Sequence, residues 1–250
     1  MVSNKRSSTG ASPSKYQTRT TSSRSTYVLA GVAIIAVAAL VIGGVIWNSN
    51  RDKGGVDEAV LSQNAALIIG DAAAPRTIDV FEDFSCPVCK EFEQQSGQAI
   101  GQAITDGKLR IRYHMLNFLD KRSASGDYSS RAAGAAQCVG EAGDKDVFLK
   151  FHSALFAAQP EEGGDTDLSN TDLARIAGEQ GANAATQKCI TDGASLETAK
   201  NAADESENQL SKATGGQVGT PTVLSAGAPV NGILDGTGWL DKLLAQKDGS

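Results

Sequence analysis

The sequence predicts an α/β domain that carries a long helical insertion and is preceded by a single N-terminal transmembrane helix. Strand-like patterns stand near both ends of the folded part, and about 90 residues between them, from about 125 to 214, favour helix almost throughout. Residues 27–47 form a run of 21 residues without a charge. At about 1.5 Å per residue this run spans roughly 31 Å, close to the hydrocarbon thickness of a bilayer.

The segments beside the apolar run predict the orientation of the chain. Residues 1–26 are rich in Ser, Thr, Lys and Arg and are predicted to be a disordered cytoplasmic tail. Basic residues next to a span stay cytoplasmic, so the chain after Trp47 is expected to lie outside the plasma membrane. A cleaved secretory signal is the alternative for 27–47, but the length of the run and its final Trp favour an uncleaved anchor. Residues 48–62 are polar and predict a linker.

The folded domain, predicted at 63–248, begins with strand patterns on either side of one helix. A short apolar strand is expected at 65–69, and a second strand at 76–84 leads directly into a cysteine pair. Apolar residues at helical spacing then predict a helix to about 105. The alternating segment 109–115 predicts a third strand.

The second half of the domain contains the helical insertion and a return to the strand pattern. One side of a helix in the insertion is predicted to be buried, since it carries Val147, Phe148, Phe151, Leu155 and Phe156. Strand patterns follow at 222–224 and 229–232, and a last helix is expected at 236–246.

The cysteine pair Cys86-Pro87-Val88-Cys89 lies where the second strand passes into the helix. Cys86 is expected at the N-cap, where free backbone N–H groups and the helix dipole stabilise a thiolate. Cys89 follows one turn later, so Cys86 is predicted to be the exposed nucleophile and Cys89 the buried resolving thiol. Half of a zinc site and an inert clip are the alternatives. The sequence has no second Cys-x-x-Cys and no His-x-x-His, and we predict no metal.

A second motif, Gly219-Thr220-Pro221-Thr222, enters a late strand. Proline cannot donate a hydrogen bond to a sheet, so it belongs at the start of a strand or at a special bend. A cis Thr220–Pro221 bond would present the backbone of Thr220 beside the disulfide, where a substrate chain would pair with it. We therefore expect Thr220, Pro87 and Val88 to contact substrate.

Residues 83–90 (DFSCPVCK), residues 219–222 (GTPT) and the helical insertion between them together resemble the DsbA-like branch of the thioredoxin superfamily. The chain is most similar to membrane-anchored or secreted actinobacterial members, over about 56–246. The resemblance implies a thioredoxin fold, Cys86 as nucleophile, Cys89 as resolving thiol and Pro221 as the cis-proline. It also implies no cofactor beyond the redox-active disulfide, and a membrane quinone-linked partner of the DsbB or VKOR type that reoxidises the pair.

Two features depart from the family pattern. Many thioredoxin-like proteins bury an acid six residues before the first cysteine, where this chain has Val80. Proton transfer at Cys89 must then use Glu82, Asp83 or water, and Glu82 is our candidate. The dipeptide between the cysteines is Pro-Val, without the histidine of the enterobacterial type, so one stabiliser of the thiolate is missing.

The other cysteines, Cys138 and Cys189, lie 51 residues apart in the helical block. Thiols oxidise outside the cytoplasm, so they are expected to pair as a structural disulfide, as in similar actinobacterial members. A second redox-active pair is the alternative, which the long separation disfavours. The two histidines, His114 and His152, are expected to be hydrogen-bonded structural residues because no catalytic or metal-binding partner is evident.

These observations predict an extracytoplasmic thiol–disulfide oxidoreductase. Within this class they favour a dithiol oxidase that introduces disulfides into unfolded or partly folded secreted proteins. A reductase or isomerase of the same fold, for example in cytochrome c maturation, is one alternative, and a module that only binds partners is another. Residues 48–250 hold 18 basic against 29 acidic residues and no basic stripe, which argues against nucleic-acid binding. The sequence has no nucleophile-elbow motif, so a hydrolase is poorly supported.

Overall fold

The computed structural model describes residues 55–246. Within this range the α-helices are α1 (Glu58–Asn64), α2 (Pro87–Thr105), α3 (Tyr128–Glu141), α4 (Lys145–Ala157), α5 (Asn170–Glu179), α6 (Ala184–Asp192), α7 (Leu196–Ala213) and α8 (Gly238–Ala245), and Asp120–Arg122 form one turn of 3-10 helix. The strands are β1 (Leu67–Ile69), β2 (Arg76–Glu82), β3 (Leu109–Met115), β4 (Thr222–Ser225) and β5 (Ala228–Pro229). None of the helices described is long and apolar enough to span a bilayer. The predicted tail and transmembrane segment, residues 1–47, lie outside the described range.

In the described part of the chain the strands form one mixed sheet in the order β1–β3–β2–β4–β5. The central strand β2 pairs parallel to β3 and antiparallel to β4. Its residues Ile78 and Val80 are fully buried in the main core, while Phe81 belongs to a smaller core cluster. Because β2 is covered on both faces, its carboxyl end is fixed inside the domain, and α2 begins five residues after it.

Helices α3 to α7 form the insertion between β3 and β4, as the sequence predicts. A disulfide joins Cys138 on α3 to Cys189 on α6, which confirms the predicted pairing. Helix α3 also passes very close to the residue before β1. A Cβ atom at Gly140 would lie 2.1 Å from the carbonyl oxygen of Ala66, so this approach requires glycine.

A buried polar cluster links the sheet to α1 and α7. Asp79 accepts two hydrogen bonds of 2.6 Å from Arg112 and lies 2.8 Å from His114 Nε2. His114 Nδ1 lies 3.1 Å from Ser206 Oγ, and Arg112 pairs with Glu58 at 2.6 Å. His114 is therefore the hydrogen-bonded structural residue that the sequence predicts.

The predicted linker, residues 48–62, ends too late. Helix α1 begins at Glu58, directly after Asp57, whose carboxylate accepts hydrogen bonds from two backbone N–H groups of the first turn. Leu61 of this helix is fully buried. A helix of seven residues with one buried apolar side chain shows no periodicity in the sequence, so the pattern missed it.

The strand predicted at 229–232 is displaced. β5 consists of Ala228 and Pro229, and one further hydrogen bond of 2.8 Å joins the N–H of Val230 to the carbonyl of Val223. The chain then turns at Gly232, whose φ of +75° is a left-handed conformation that favours glycine. This turn ends the strand pairing early.

Candidate active site

The two cysteines of the motif lie at the beginning of α2, as predicted. Cys86 is the N-cap residue, with extended backbone angles, and Pro87 occupies the first turn. Cys86 is 6% exposed and Cys89 is fully buried, whereas Pro87 and Val88 are exposed between them. Cys86 is therefore closer to the surface than Cys89, but it is buried rather than exposed as the sequence predicts.

The surroundings of the two thiols push their pKa values in opposite directions. A hydrogen bond with the Cys89 thiol, with help from backbone N–H groups at the start of α2, outweighs burial and lowers the pKa of Cys86 to about 6. Burial, together with the negative charges of Cys86 and Glu82, raises the pKa of Cys89 well above its ordinary value. At neutral pH the dithiol thus holds one thiolate, on Cys86, and one thiol, on Cys89.

The second motif lies directly beside Cys86. The Thr220–Pro221 peptide bond is cis, and Cys86 Sγ lies 3.4 Å from the carbonyl oxygen of Thr220. A groove of about 630 Å³ extends from Pro221, with Val218 and Leu234 among the side chains that line it. The structure therefore brings Cys86, Thr220 and Pro221 together, as the sequence predicts.

Asp83 holds the loop between β2 and α2 in place. Its carboxylate accepts hydrogen bonds from the backbone N–H of Ser85 (2.8 Å), the hydroxyl of Ser129 (2.6 Å) and the backbone N–H of Leu119 (3.1 Å). Burial raises the pKa of Asp83 to about 6 despite these hydrogen bonds. Ser85 lies in this loop, Ser129 in α3 and Leu119 after β3, so Asp83 connects the cysteine loop to two neighbouring segments.

Gln159, just after α4, supports the same loop from the helical insertion. Its side-chain amide donates hydrogen bonds of 2.9 Å to the carbonyl oxygens of Phe84 and Cys86. No sequence motif marked this residue, because the contact joins positions more than 70 residues apart.

Glu82 and His152 form a buried pair behind the cysteines. Glu82 is the last residue of β2 and His152 lies in α4; they are 0% and 1% exposed. His152 Nε2 lies 2.7 Å from Glu82 Oε2. Burial raises the pKa of Glu82, and the negative charge of Cys86 acts in the same direction. The expectation that His152 is purely structural therefore missed its contact with a candidate site residue.

A third group, Glu93 of α2, faces the other nitrogen of His152. Glu93 Oε2 lies 3.6 Å from His152 Nδ1, and the hydroxyl of Ser153 donates a 2.5 Å hydrogen bond to Glu93 Oε1. Although burial lowers the pKa of His152, the carboxylates of Glu82 and Glu93 outweigh it and raise the pKa to about 10. No motif in the sequence predicts a role for Glu93. It lies four residues after Cys89, a spacing that places both side chains on the same face of α2.

Comparison with known proteins agrees with this architecture. Residues 62–239 match the thioredoxin family, and the chain belongs to that family. Among solved structures, MdbA of Corynebacterium diphtheriae, a thiol-disulfide oxidoreductase, matches with a TM-score of 0.64 and 28% identity, over 72% of this chain and 90% of that one. Oxidised DsbA of Mycobacterium tuberculosis matches with a TM-score of 0.59 and 27% identity, over 73% and 94%. The described domain is therefore a DsbA-like thiol–disulfide oxidoreductase domain.

The chain is also similar to part of a longer curated protein. The serine/threonine-protein kinase PknE of Mycobacterium tuberculosis is 36% identical over 183 residues, which are 72% of this chain and 32% of the kinase. The chain thus spans about a third of the length of the curated relatives it matches.

Proposed function

We propose that this protein is an extracytoplasmic dithiol oxidase that donates the Cys86–Cys89 disulfide to secreted proteins. One feature carries the proposal: Cys86 lies at the N-cap of α2, above the fully buried Cys89, and these surroundings lower the pKa of Cys86 to about 6 and raise that of Cys89. A thiolate that the fold stabilises favours the dithiol form, and a disulfide whose reduced form is stabilised is a stronger oxidant. Such a protein gives its disulfide to substrates.

The proposed reaction consists of two thiol–disulfide exchanges. A substrate thiolate attacks Cys86 Sγ, the Cys86–Cys89 bond breaks, and Cys89 leaves as a thiolate that takes a proton from Glu82. A second substrate thiolate then attacks the substrate sulfur of the mixed disulfide and releases the Cys86 thiolate. The substrate loses two electrons and gains a disulfide, and the Cys86–Cys89 pair gains both electrons.

Unfolded or partly folded chains are the proposed substrates. Four large apolar side chains of the described region are 37–41% exposed. Two of them are Val88, in the cysteine motif, and Val218, two residues before Thr220. An extended chain would pair with the backbone at Thr220 and place apolar side chains in the groove beside Pro221. This surface suits substrates that have not yet buried their apolar residues.

The proposal includes a membrane location and a membrane partner. Residues 27–47 would anchor the protein in the plasma membrane with the N-terminus in the cytoplasm, because their length and lack of charge suit a bilayer span. A quinone-linked membrane protein of the DsbB or VKOR type would accept the two electrons from the dithiol. We propose that the Cys138–Cys189 disulfide is structural, so the redox-active pair is Cys86 and Cys89.

Equilibration with glutathione buffers tests the proposal. We expect a reduction potential above about −180 mV, the value of protein disulfide isomerase, and towards the value of about −120 mV of a strong oxidase. A potential near about −270 mV, as in thioredoxin, would instead assign the protein to the reductases. Cys89→Ala should trap secreted proteins on Cys86 as mixed disulfides, with Cys86→Ala as the matched control. If no adducts form in cells, a module that only binds partners is the better description.

A further inference from the structure

The buried thiol of Cys89 must exchange a proton in every catalytic cycle. It becomes protonated when a substrate reduces the disulfide and must lose its proton before the disulfide forms again. Cys89 is fully buried, so bulk water has no direct contact with it. The proton therefore needs a route through protein groups.

Glu82 is the first group on such a route. Burial raises the pKa of Cys89, and the negative charge of Glu82 acts in the same direction. Glu82 Oε2 is engaged by His152, but Glu82 Oε1 is buried and has no hydrogen-bond partner among the residues described. A buried carboxylate oxygen without a donor is costly, and it is the free acceptor that a proton from Cys89 requires.

His152 cannot pass a proton to water directly. Its ring packs against the rings of Phe84, Tyr113, Phe148 and Phe156, with centroids 4.7 to 6.1 Å apart. All four of these side chains are buried, and burial raises the pKa of Tyr113 well above its ordinary value, so its hydroxyl stays neutral. The titratable groups that remain beside the imidazole are the carboxylate of Glu82, at Nε2, and the carboxylate of Glu93, at Nδ1.

Glu93 connects this pair to the surface. His152 Nδ1 is buried and has no hydrogen-bond partner in the described region, but Glu93 Oε2 lies 3.6 Å away. The side chain of Glu93 is 13% exposed, in contrast to Glu82 and His152, which are 0% and 1% exposed. A small movement of Glu93 would complete the hydrogen bond, and its carboxylate would then face His152 on one side and solvent on the other.

We infer that His152 and Glu93 pass a proton to or from solvent each time Cys89 exchanges one with Glu82. This inference rests on the proposed role of Glu82 as the proton acceptor. When the disulfide forms, the Cys89 proton moves to Glu82 Oε1, the imidazolium of His152 releases its Nδ1 proton to Glu93, and Glu93 releases that proton to water. Glu82 and His152 both end neutral, and one proton has left the protein. The steps run in reverse when a substrate reduces the disulfide.

The reaction of the full-length dithiol protein with oxidised glutathione tests the route. Attack by Cys86 is bimolecular, while the following attack by Cys89 on the mixed disulfide is unimolecular and limits the rate at high glutathione concentration. Stopped-flow fluorescence should show the unimolecular step slowed about 10- to 100-fold at pH 7 in His152→Gln and in Glu93→Gln, within the range of positioned proton transfer. In both variants this step should also rise about tenfold per pH unit, because hydroxide must then remove the proton.

The other histidine of the chain provides a matched control. His114→Gln removes an equally buried, hydrogen-bonded imidazole that does not contact Glu82, so both steps should keep their rates. Circular dichroism establishes that each variant is folded. An unchanged unimolecular step and pH profile in both His152→Gln and Glu93→Gln would overturn the inference.

A measurement on the unmodified protein does not depend on the folding of any variant. The chain has two histidines, so ¹⁵N-histidine NMR of the dithiol form gives two sets of ring signals. Both nitrogens of His152 should be protonated at pH 7, whereas His114, whose pKa is lowered by burial, should be neutral. A neutral His152 overturns the route. A low reduction potential would overturn the oxidase proposal alone, because proton exchange at Cys89 is needed in either direction.

Discussion

Oxidation of the Cys86–Cys89 pair is expected to change how stability depends on pH. In the dithiol the pKa of Cys86 falls from its ordinary value of 9.0 to about 6, whereas the disulfide has no thiol to titrate. An acid whose pKa is lower in the folded state stabilises the fold above its unfolded pKa, and this contribution is lost as the pH falls through the folded pKa. The contribution of Cys86 is thus near zero at pH 5 and about 1.4 kcal/mol at pH 7.

This free energy corresponds to a measurable change in melting temperature. A chain of this size changes its Tm by about 2–4 °C per kcal/mol. The Tm of the dithiol form minus the Tm of the disulfide form should therefore increase by roughly 3–6 °C from pH 5 to pH 7. Thermal unfolding of both forms at pH 5, 6 and 7 measures this gain. The two forms are compared because Asp83, whose pKa is raised to about 6, titrates in each, and loop closure by the disulfide does not depend on pH. A difference that stays constant, or that moves towards the disulfide form, refutes the stabilised thiolate.

Three further predictions concern the scaffold, and urea unfolding measures each of them. Cys138→Ala/Cys189→Ala should lower the free energy of unfolding by at most about 4 kcal/mol, from the loop of 51 residues, and should leave the reduction potential unchanged; a changed potential would mean that this pair is redox-active. Arg112→Met should cost about 3–5 kcal/mol, because it leaves a buried carboxylate without its cation; a cost under about 1 kcal/mol would contradict this. Gly140→Ala places a Cβ 2.1 Å from a backbone carbonyl and should cost about 1–3 kcal/mol, whereas Gly101→Ala, with open space around it, should not destabilise; equal effects would contradict the close approach.

The regular elements were predictable because their patterns are local. The strand at 109–115 alternates over seven residues and appears with the predicted bounds, and the helix after Cys86 ends near 105 as expected. Helix α1 was not predicted, since its stability depends on contacts with distant residues such as the pairing of Glu58 with Arg112. The same reason applies to β5, where pairing with β4 extends over just two residues.

The candidate site was predictable up to the residues that share a motif. Cys86, Cys89, Thr220 and Pro221 each belong to a short pattern with a chemical meaning, and the structure brings them together. His152, Glu93 and Gln159 belong to no pattern, because their roles arise from how α2 and α4 pack behind the cysteine loop. A lone histidine among apolar residues predicts a buried imidazole but does not say which carboxylate it contacts.

The adjacent acids Glu82 and Asp83 lie close in sequence to Val80, the position at which many thioredoxin-like proteins bury an acid. Successive side chains of a strand point to opposite faces, so Val80 and Glu82 project to the same side of β2, and an acid at 82 reaches the side where a family acid at 80 would point. Asp83, one residue further, projects elsewhere and binds Ser85 and Ser129. One acid therefore lies behind the buried thiol, and the next holds the loop that carries the reactive one. Glu82 is also in contact with His152 of α4, so a residue of the helical insertion reaches the end of β2 that leads into the cysteine loop.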